Sequence, residues 1–178
     1  MPEMRGPQPG FPPAGPNVTE QQILIERTLA RLRDRQNLGL GIVGGAIGAV
    51  VGALLWALIT SATKFQIGWM AVGVGFLAGY GVRLLGKGVD RSFGIAGAVL
   101  ALLGCLAGNL LTVCILVAHE LSIPVGDVLA QLDPSKVATL LKETFSPMDV
   151  LFYAIAVWEG YRFSIRPVTP EDLKAGQG

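Results

Sequence analysis

The run GLGIVGGAIGAVVGALLWALIT, from Gly39 to Thr60, decides the fold. It carries no charge over more than twenty residues, enough to cross a bilayer core of about 30 Å at 1.5 Å per residue. Its glycines are spaced for contact. Gly44, Gly48 and Gly52 share one helix face, and Gly41 with Gly45 makes a second GxxxG step. In water each such glycine weakens a helix by about 1 kcal/mol relative to alanine. In lipid the backbone satisfies itself, and small residues let two helices approach closely. The reading is therefore a membrane span that serves as a packing surface for other helices.

The totals agree with a polytopic membrane protein. Of 178 residues, 51% are hydrophobic and only 15% charged, where a soluble domain usually carries nearer a quarter. A net charge of +1 gives no pull towards nucleic acid. Glycine concentrates in the apolar runs, while most prolines lie in the tails and one long loop. Cys105 and Cys114 share one apolar run, about 180° apart on a helix, so they cannot bridge each other within it. They read as small apolar packing residues, and no CxxC spacing is present.

Upstream of the first span, residues 1–18 form a Pro/Gly-rich tail expected to be disordered, either a linker or a recognition tail. No short apolar run with a cleavage site opens the chain, so the first span itself is expected to direct insertion. Thr19-Glu20-Gln21-Gln22 reads as a capping box opening a cytoplasmic amphipathic helix over 19–37. Ile25, Leu29 and Leu32 fall on one side of it, and Arg27, Arg31 and Arg35 recur on another. That basic face either lies on an anionic leaflet, at about 1 kcal/mol per Arg, or is simply solvated.

Downstream, the spacing predicts a second span over 67–85, with Ala71, Gly75 and Gly79 on one ridge. The linker Ser61 to Gln66 is short, so spans one and two form an antiparallel hairpin. Trp56 and Trp69 flank it as interfacial anchors would. A third span is predicted over 93–118, with Gly97, Ala101, Gly104 and Gly108 in one line and Asn109 near its middle. A fourth covers 147–165, opened by Ser146 as N-cap, Pro147 at the first helical position and Asp149 three residues past the cap. Between them, Val125, Val128, Leu129 and Leu132, then Val137, Leu140, Leu141 and Phe145, mark two short amphipathic helices. These lie on the membrane surface or over the bundle mouth. Residues 167–178 form a cytoplasmic tail with one helical turn from Thr169-Pro170-Glu171-Asp172.

The fold class read here is an all-α membrane bundle of four glycine-packed spans across 38–166. Arg27, Arg31, Arg33 and Arg35, then Arg83, Lys87 and Arg91, then Arg162, Arg166 and Lys174 gather on one side. The other side has Lys64, Lys136 and Lys142 beside Glu120, Asp127, Asp133 and Glu143. The positive-inside rule then puts both termini in the cytoplasm.

The segment IGWMAVGVGFLAGYGVRLLGKGVDRSFGIAGAVLALLGCLAGNLL resembles a recurrent, uncharacterised module of small four-helix bacterial inner-membrane proteins. The likeness covers residues 39–111, and the E-G-Y-R end of the fourth span fits it too. It implies four helices and an inner-membrane address, and no reaction.

The candidate polar intramembrane network is Arg83, Asn109, Glu159 and Arg162. An ionised group at mid-membrane costs at least about 2.5–3.5 kcal/mol, so Glu159 is paired or functional. Arg162, three residues on, and Arg83, at matching depth on span two, are its expected partners. Asn109 either bonds a neighbouring helix at about 1 kcal/mol or lines a pore. His119-Glu120 has no second histidine for an HExxH site. GxSxG and Walker motifs are absent, and the GxG pairs are helix-packing residues. No catalytic residue, metal site or cofactor is read from the sequence. Membrane lipids are the expected partners, with a homo-oligomer or a larger membrane complex as the setting. The two functional readings are a non-enzymatic anchor or assembly subunit, and a small oligomeric channel or transporter.

Overall fold

Local signals of the chain all resolve into helix. A computed structural model describes residues 18–63, 68–144 and 146–175. Among these residues there are eight helices and no strands. They are α1 (Val18–Asp34), α2 (Leu38–Thr63), α3 (Trp69–Gly86), α4 (Arg91–Leu121), α5 (Val125–Ala130), α6 (Pro134–Thr144), α7 (Pro147–Ser164) and α8 (Pro170–Ala175). The Pro/Gly-rich tail lies outside the described residues, apart from Val18, as do Lys64 and Phe145.

Three helices have the length and apolar composition of a membrane span, not the four that the sequence predicts. They are α2, α3 and α4. The helix over 147–165 forms as expected, but Asp149, Glu159 and Arg162 interrupt its apolar run. The third span is longer than predicted. Its 31 residues reach about 46 Å at 1.5 Å per residue, beyond a hydrocarbon core.

The chain divides into two compact units. The larger, Leu32–Pro167, is held by backbones in direct contact. A Cβ built on Gly44 would sit 2.3 Å from the Gly81 carbonyl oxygen, and one on Gly48 would sit 2.2 Å from that of Leu77. With Gly52 against Val74 and Gly41 against Gly86, these contacts run α2 and α3 antiparallel. Gly104 packs on Ala49 and Gly108 on Ala53, which sets α4 parallel to α2. Gly75 meets Ala156 and Gly79 meets Gly160, so α7 runs parallel to α3. Gly97 also abuts Gly160 and Ser164, closing α7 against α4. α3 and α4 touch each other and both outer helices. The core is thus a line of small residues, Ala71, Ala78, Ala101 and Ala156, all fully buried, with Val74 and Trp56 filling one end.

The ends of these helices are sequence-coded. Asn37 caps α2, its Oδ1 accepting from Leu40 N–H at 3.0 Å. α7 opens with the expected box. Ser146 Oγ accepts from Met148 N–H at 3.1 Å, and Asp149 Oδ2 accepts from Ser146 N–H at 2.8 Å. Among the described residues α5 and α6 pack on α4, and Leu129 of α5 also lines the groove between α2 and α4. Their half-buried residues include Val125, Val128, Leu132, Val137, Leu140 and Leu141, as the periodicity predicts, while Leu129 stays exposed.

In the smaller unit, formed from residues up to Arg31 and from Val168 onward, Arg31 Nη1 donates to the Ala175 carbonyl at 2.5 Å. Thr169 and Asp172 cap α8 reciprocally, with Thr169 N–H to Asp172 Oδ2 at 3.0 Å and Asp172 N–H to Thr169 Oγ1 at 3.4 Å. The predicted α1 start is corrected. Thr19 lies inside the helix, because Val18 is already helical. Of the expected apolar side, Leu32 is buried and Leu29 half-buried, while Ile25 is exposed at 45% and Thr28 is buried in addition.

Candidate functional site

Two polar centres stand at opposite ends of the larger unit. The first lies where α2 ends and α7 begins. α2 contributes Trp56 and Thr60, one turn apart on its inner face, both at least 95% buried. α4 contributes Asn109 and Thr112, and α7 contributes Asp149 and Tyr153, again one turn apart. Asn109 is 3% exposed and Asp149 5%. Gly108 makes room for the group, since the Trp56 ring rests where a side chain would stand. Trp56 meets Tyr153 edge to face at 6.3 Å between centroids. The Tyr153 hydroxyl donates to the Cys105 carbonyl at 3.5 Å and is hydrogen-bonded to the Asn109 side chain. Thr112 donates back to the Gly108 carbonyl at 2.8 Å.

Trp56 is therefore not the interfacial anchor that the sequence suggests. It is 1% exposed, because the glycine and alanine faces around it leave a slot of indole size. Trp69, at 71% exposure and tilted against Phe152, keeps the exposure that an anchor needs.

The second centre lies at the turn between α3 and α4, outside the apolar runs. Gln36 spans it, accepting from Val89 N–H at 3.2 Å and donating to Asp90 Oδ2 at 2.5 Å. Arg33 Nε donates to Asp90 Oδ1 at 2.9 Å. Asn37 N–H reaches the Gly86 carbonyl at 3.0 Å, and Arg166 N–H reaches that of Gly88 at 2.8 Å. One turn thus ties together the starts of α2 and α4 and the end of α7. Lys87 adopts a left-handed conformation, φ 50°, to end α3 there. The Gln36 amide, and after it the Arg33 guanidinium, hold the Asp90 carboxyl below its usual range.

The four candidate network residues do not come together. Asn109 belongs to the first centre. Glu159 and Arg83 are half-buried towards the other end, beside the Gly79–Gly160 crossing and the last turn of α3. Arg162 is exposed. The ion pair expected between Glu159 and Arg162 or Arg83 is corrected too. Among the described residues no ion pair within 4.0 Å joins Glu159 to either arginine, whereas Arg33–Asp90 and Lys136–Asp133 do pair. Long flexible arms on the outer side of a helix lose rotamer freedom when they pair, so sequence proximity alone does not form the bridge.

Of the remaining candidates, Gly44, Gly48, Gly52, Gly75, Gly79, Gly104 and Gly108 all lie at helix crossings. Arg27, Arg31 and Arg35 are exposed on and just beyond α1. His119 and Glu120 are exposed at the end of α4. Cys105 and Cys114 are buried free thiols on opposite faces of α4, Cys105 against the Ala71 carbonyl at 3.8 Å and Cys114 towards α5 and α6. Sequence reasoning missed Trp56, Thr60, Thr112, Asp149 and Tyr153 as partners of Asn109. The available signal was the pairing of polar residues four apart, at 56/60 and 149/153, on otherwise apolar helices.

Two grooves lie on the surface among the described residues. One, of about 430 Å³, is apolar and runs between α2 and α4 along Ala46, Ala49, Ala53, Gly104 and Ala107. The other, of about 410 Å³, lies between the end of α4 and α5–α6 and has a polar lip at Gln131, Ser135 and Lys136. No family model, curated protein or solved structure matches this chain.

Proposed function

We propose that this chain is a four-span protein of the bacterial inner membrane with no enzymatic role of its own. It acts as an anchor or subunit of a larger membrane assembly, with both termini in the cytoplasm. The observation that carries the reading is the seating of α7. It lies parallel to α3, with the same 18 residues, and touches α3 and α4 backbone to backbone. A helix held that closely along a membrane span crosses with it. Glu159 and Arg162 lie in its last two turns, where snorkelling to the interface is cheapest, and Asp149 caps its first turn.

The assembly role is supported by what the bundle leaves over. Its glycine crossings consume the interior, while the α2–α4 groove keeps Ala107 exposed and Ala46 half-buried above the buried Ala49, Ala53 and Gly104. Such a surface suits close approach by a further helix, from a second copy or an unlike subunit. The likeness of residues 39–111 to small inner-membrane modules supports the address. The exposed Arg27, Arg31 and Arg35 suit an anionic cytoplasmic leaflet.

Native purification in mild detergent tests the assembly reading, and a defined co-purifying subunit or a discrete oligomer is expected. Glu159→Gln in liposomes separates it from the channel reading. A folded Glu159→Gln protein that has lost a flux carried by the wild type would sink the anchor.

A further inference from the structure

The second polar centre diverts a helix cap. Asp90 is the N-cap residue of α4 and has the extended backbone which that position needs, φ −87° and ψ 156°. Its carbonyl accepts from Phe93 N–H at 3.2 Å. An aspartate so placed ordinarily turns its carboxylate onto the amide of the second or third helical residue, here Ser92 or Phe93. In this protein no side-chain bond caps the helix. Both carboxylate oxygens are given to the α1–α2 junction instead. Oδ1 accepts from Arg33 Nε at 2.9 Å, and Oδ2 from Gln36 Nε2 at 2.5 Å. Gln36 Oε1 in turn accepts from Val89 N–H at 3.2 Å. Turning the carboxylate back over α4 would give up Arg33 and Gln36. The exchange is close to balanced, because a side-chain cap and an ion pair with the Arg33 side chain 58% exposed stabilise by similar amounts. The turn itself does not depend on the choice. Backbone bonds from Asn37 N–H to Gly86 and from Arg166 N–H to Gly88 hold it either way.

We propose that Asp90 is a two-position latch: it holds the end of α1 through Arg33 and Gln36, and where an anionic lipid surface takes Arg33 it turns back to cap α4. The partner class follows from the charges. The stretches that meet here, 33–37 and 87–91, carry Arg33, Arg35, Lys87 and Arg91, all exposed, against Asp34 and Asp90. They adjoin the starts of α2 and α4 and the end of α3, so they stand where apolar spans leave the hydrocarbon. Lipid phosphates are drawn to such a surplus of cations. A guanidinium exchanges a carboxylate for a phosphate with its paired donors still used. The cap formed on α4 compensates for the ion pair lost, so the end of α1 is freed while the α3–α4 turn stays closed.

The test follows two amides by hydrogen exchange read by NMR. The full-length chain is held in nanodiscs of phosphatidylcholine alone, or of phosphatidylcholine mixed equally with phosphatidylglycerol. Val89 N–H reports the latch, because Gln36 covers it, and Ser92 N–H reports the cap. With phosphatidylglycerol present, Val89 is expected to exchange at least about threefold faster and Ser92 at least about threefold slower, the change that one bond of this strength brings. Two amides that move in the same direction, or that do not respond to the lipid, overturn the proposal; a plain structural tie loosens both together. Asp90→Ser gives a second reading, because serine still caps a helix but lacks the carboxylate that pairs with Arg33. In phosphatidylcholine alone this variant is expected to show the fast Val89 and slow Ser92 already, with no further response to phosphatidylglycerol. An Asp90→Ser protein that still switches with the lipid as wild type does overturns the latch. If that variant does not fold, the wild-type comparison decides alone.

Discussion

Glycine positions in this protein are not interchangeable, and the difference is steric. A Cβ on Gly48 would meet the Leu77 carbonyl oxygen at 2.2 Å, whereas one on Gly73 would meet nothing within 4 Å. Gly48→Ala is therefore expected to destabilise the protein by about 1–3 kcal/mol, as overpacking does. Gly73→Ala is expected to stay within about 1 kcal/mol of wild type, on the stabilising side, since alanine is the better helix former. Unfolding of both variants in mixed micelles measures the contrast. Equal losses would mean that the α2–α3 crossing is not where the packing is tight. Both glycines look alike in the sequence, and only the register of α2 on α3 tells them apart.

Asp90 gives a second expectation at this scale. Its carboxyl is held below its ordinary value of 3.8, first by Gln36 and then by Arg33. Below that ordinary value the unfolded chain binds the proton more readily than the folded one, so stability rises with pH. The contribution is complete above pH 3.8 and is lost as pH falls through the lower folded value. A melting-temperature profile on the acid side should fall more steeply for wild type than for Asp90→Asn, which lacks the titrating group. Parallel profiles would show that Asp90 does not tie the turn.

Among the elements, α7 is the one whose start was most legible. Ser146, Pro147 and Asp149 spell an N-terminus that needs no tertiary partner, and the cap is formed by those residues. Ser146→Ala is expected to cost about 1 kcal/mol, and Ser146→Asp to restore most of it. A loss with no recovery in the aspartate variant would assign the effect to something other than capping. α1 shows the opposite case. Thr19-Glu20-Gln21-Gln22 has the composition of a cap, yet the helix already includes Val18. Capping residues tolerate a first-turn helical position, so the motif marks a helix start only to within a residue or two.

The short helices α5 and α6 were legible as amphipathic, but not as companions of α4. Periodicity reveals an apolar face and leaves open what covers it. Here the extra length of α4 beyond the other spans provides the cover. Replacing residues 123–144 with a Gly/Ser linker of equal length should leave the melting temperature of the α2–α3–α4–α7 packing nearly unchanged. A large drop would make α5 and α6 part of the stabilising structure.

For the whole molecule the decisive question is the number of crossings. α2, α3 and α4 qualify as spans by length and composition. If α7 crosses as well, fluorescent reporter fusions at the C-terminus should glow in the cytoplasm, and a cysteine at Ser135 should react from the far side. A C-terminus on the far side would reduce the membrane domain to three spans and end the proposed topology.

The sequence by itself determined the solvent of this protein and the kind of element it builds, because hydropathy, charge segregation and glycine spacing are local properties of a chain. It also determined which helix faces are small enough for contact. Only the tertiary structure decided which small faces meet, that Trp56 is enclosed, that Glu159 stays apart from Arg162, and that Asn109 belongs with Tyr153 and Asp149. Those outcomes depend on the axial register of one helix against another. Register is set by many weak contacts acting together between residues far apart along the chain, and no single stretch encodes it.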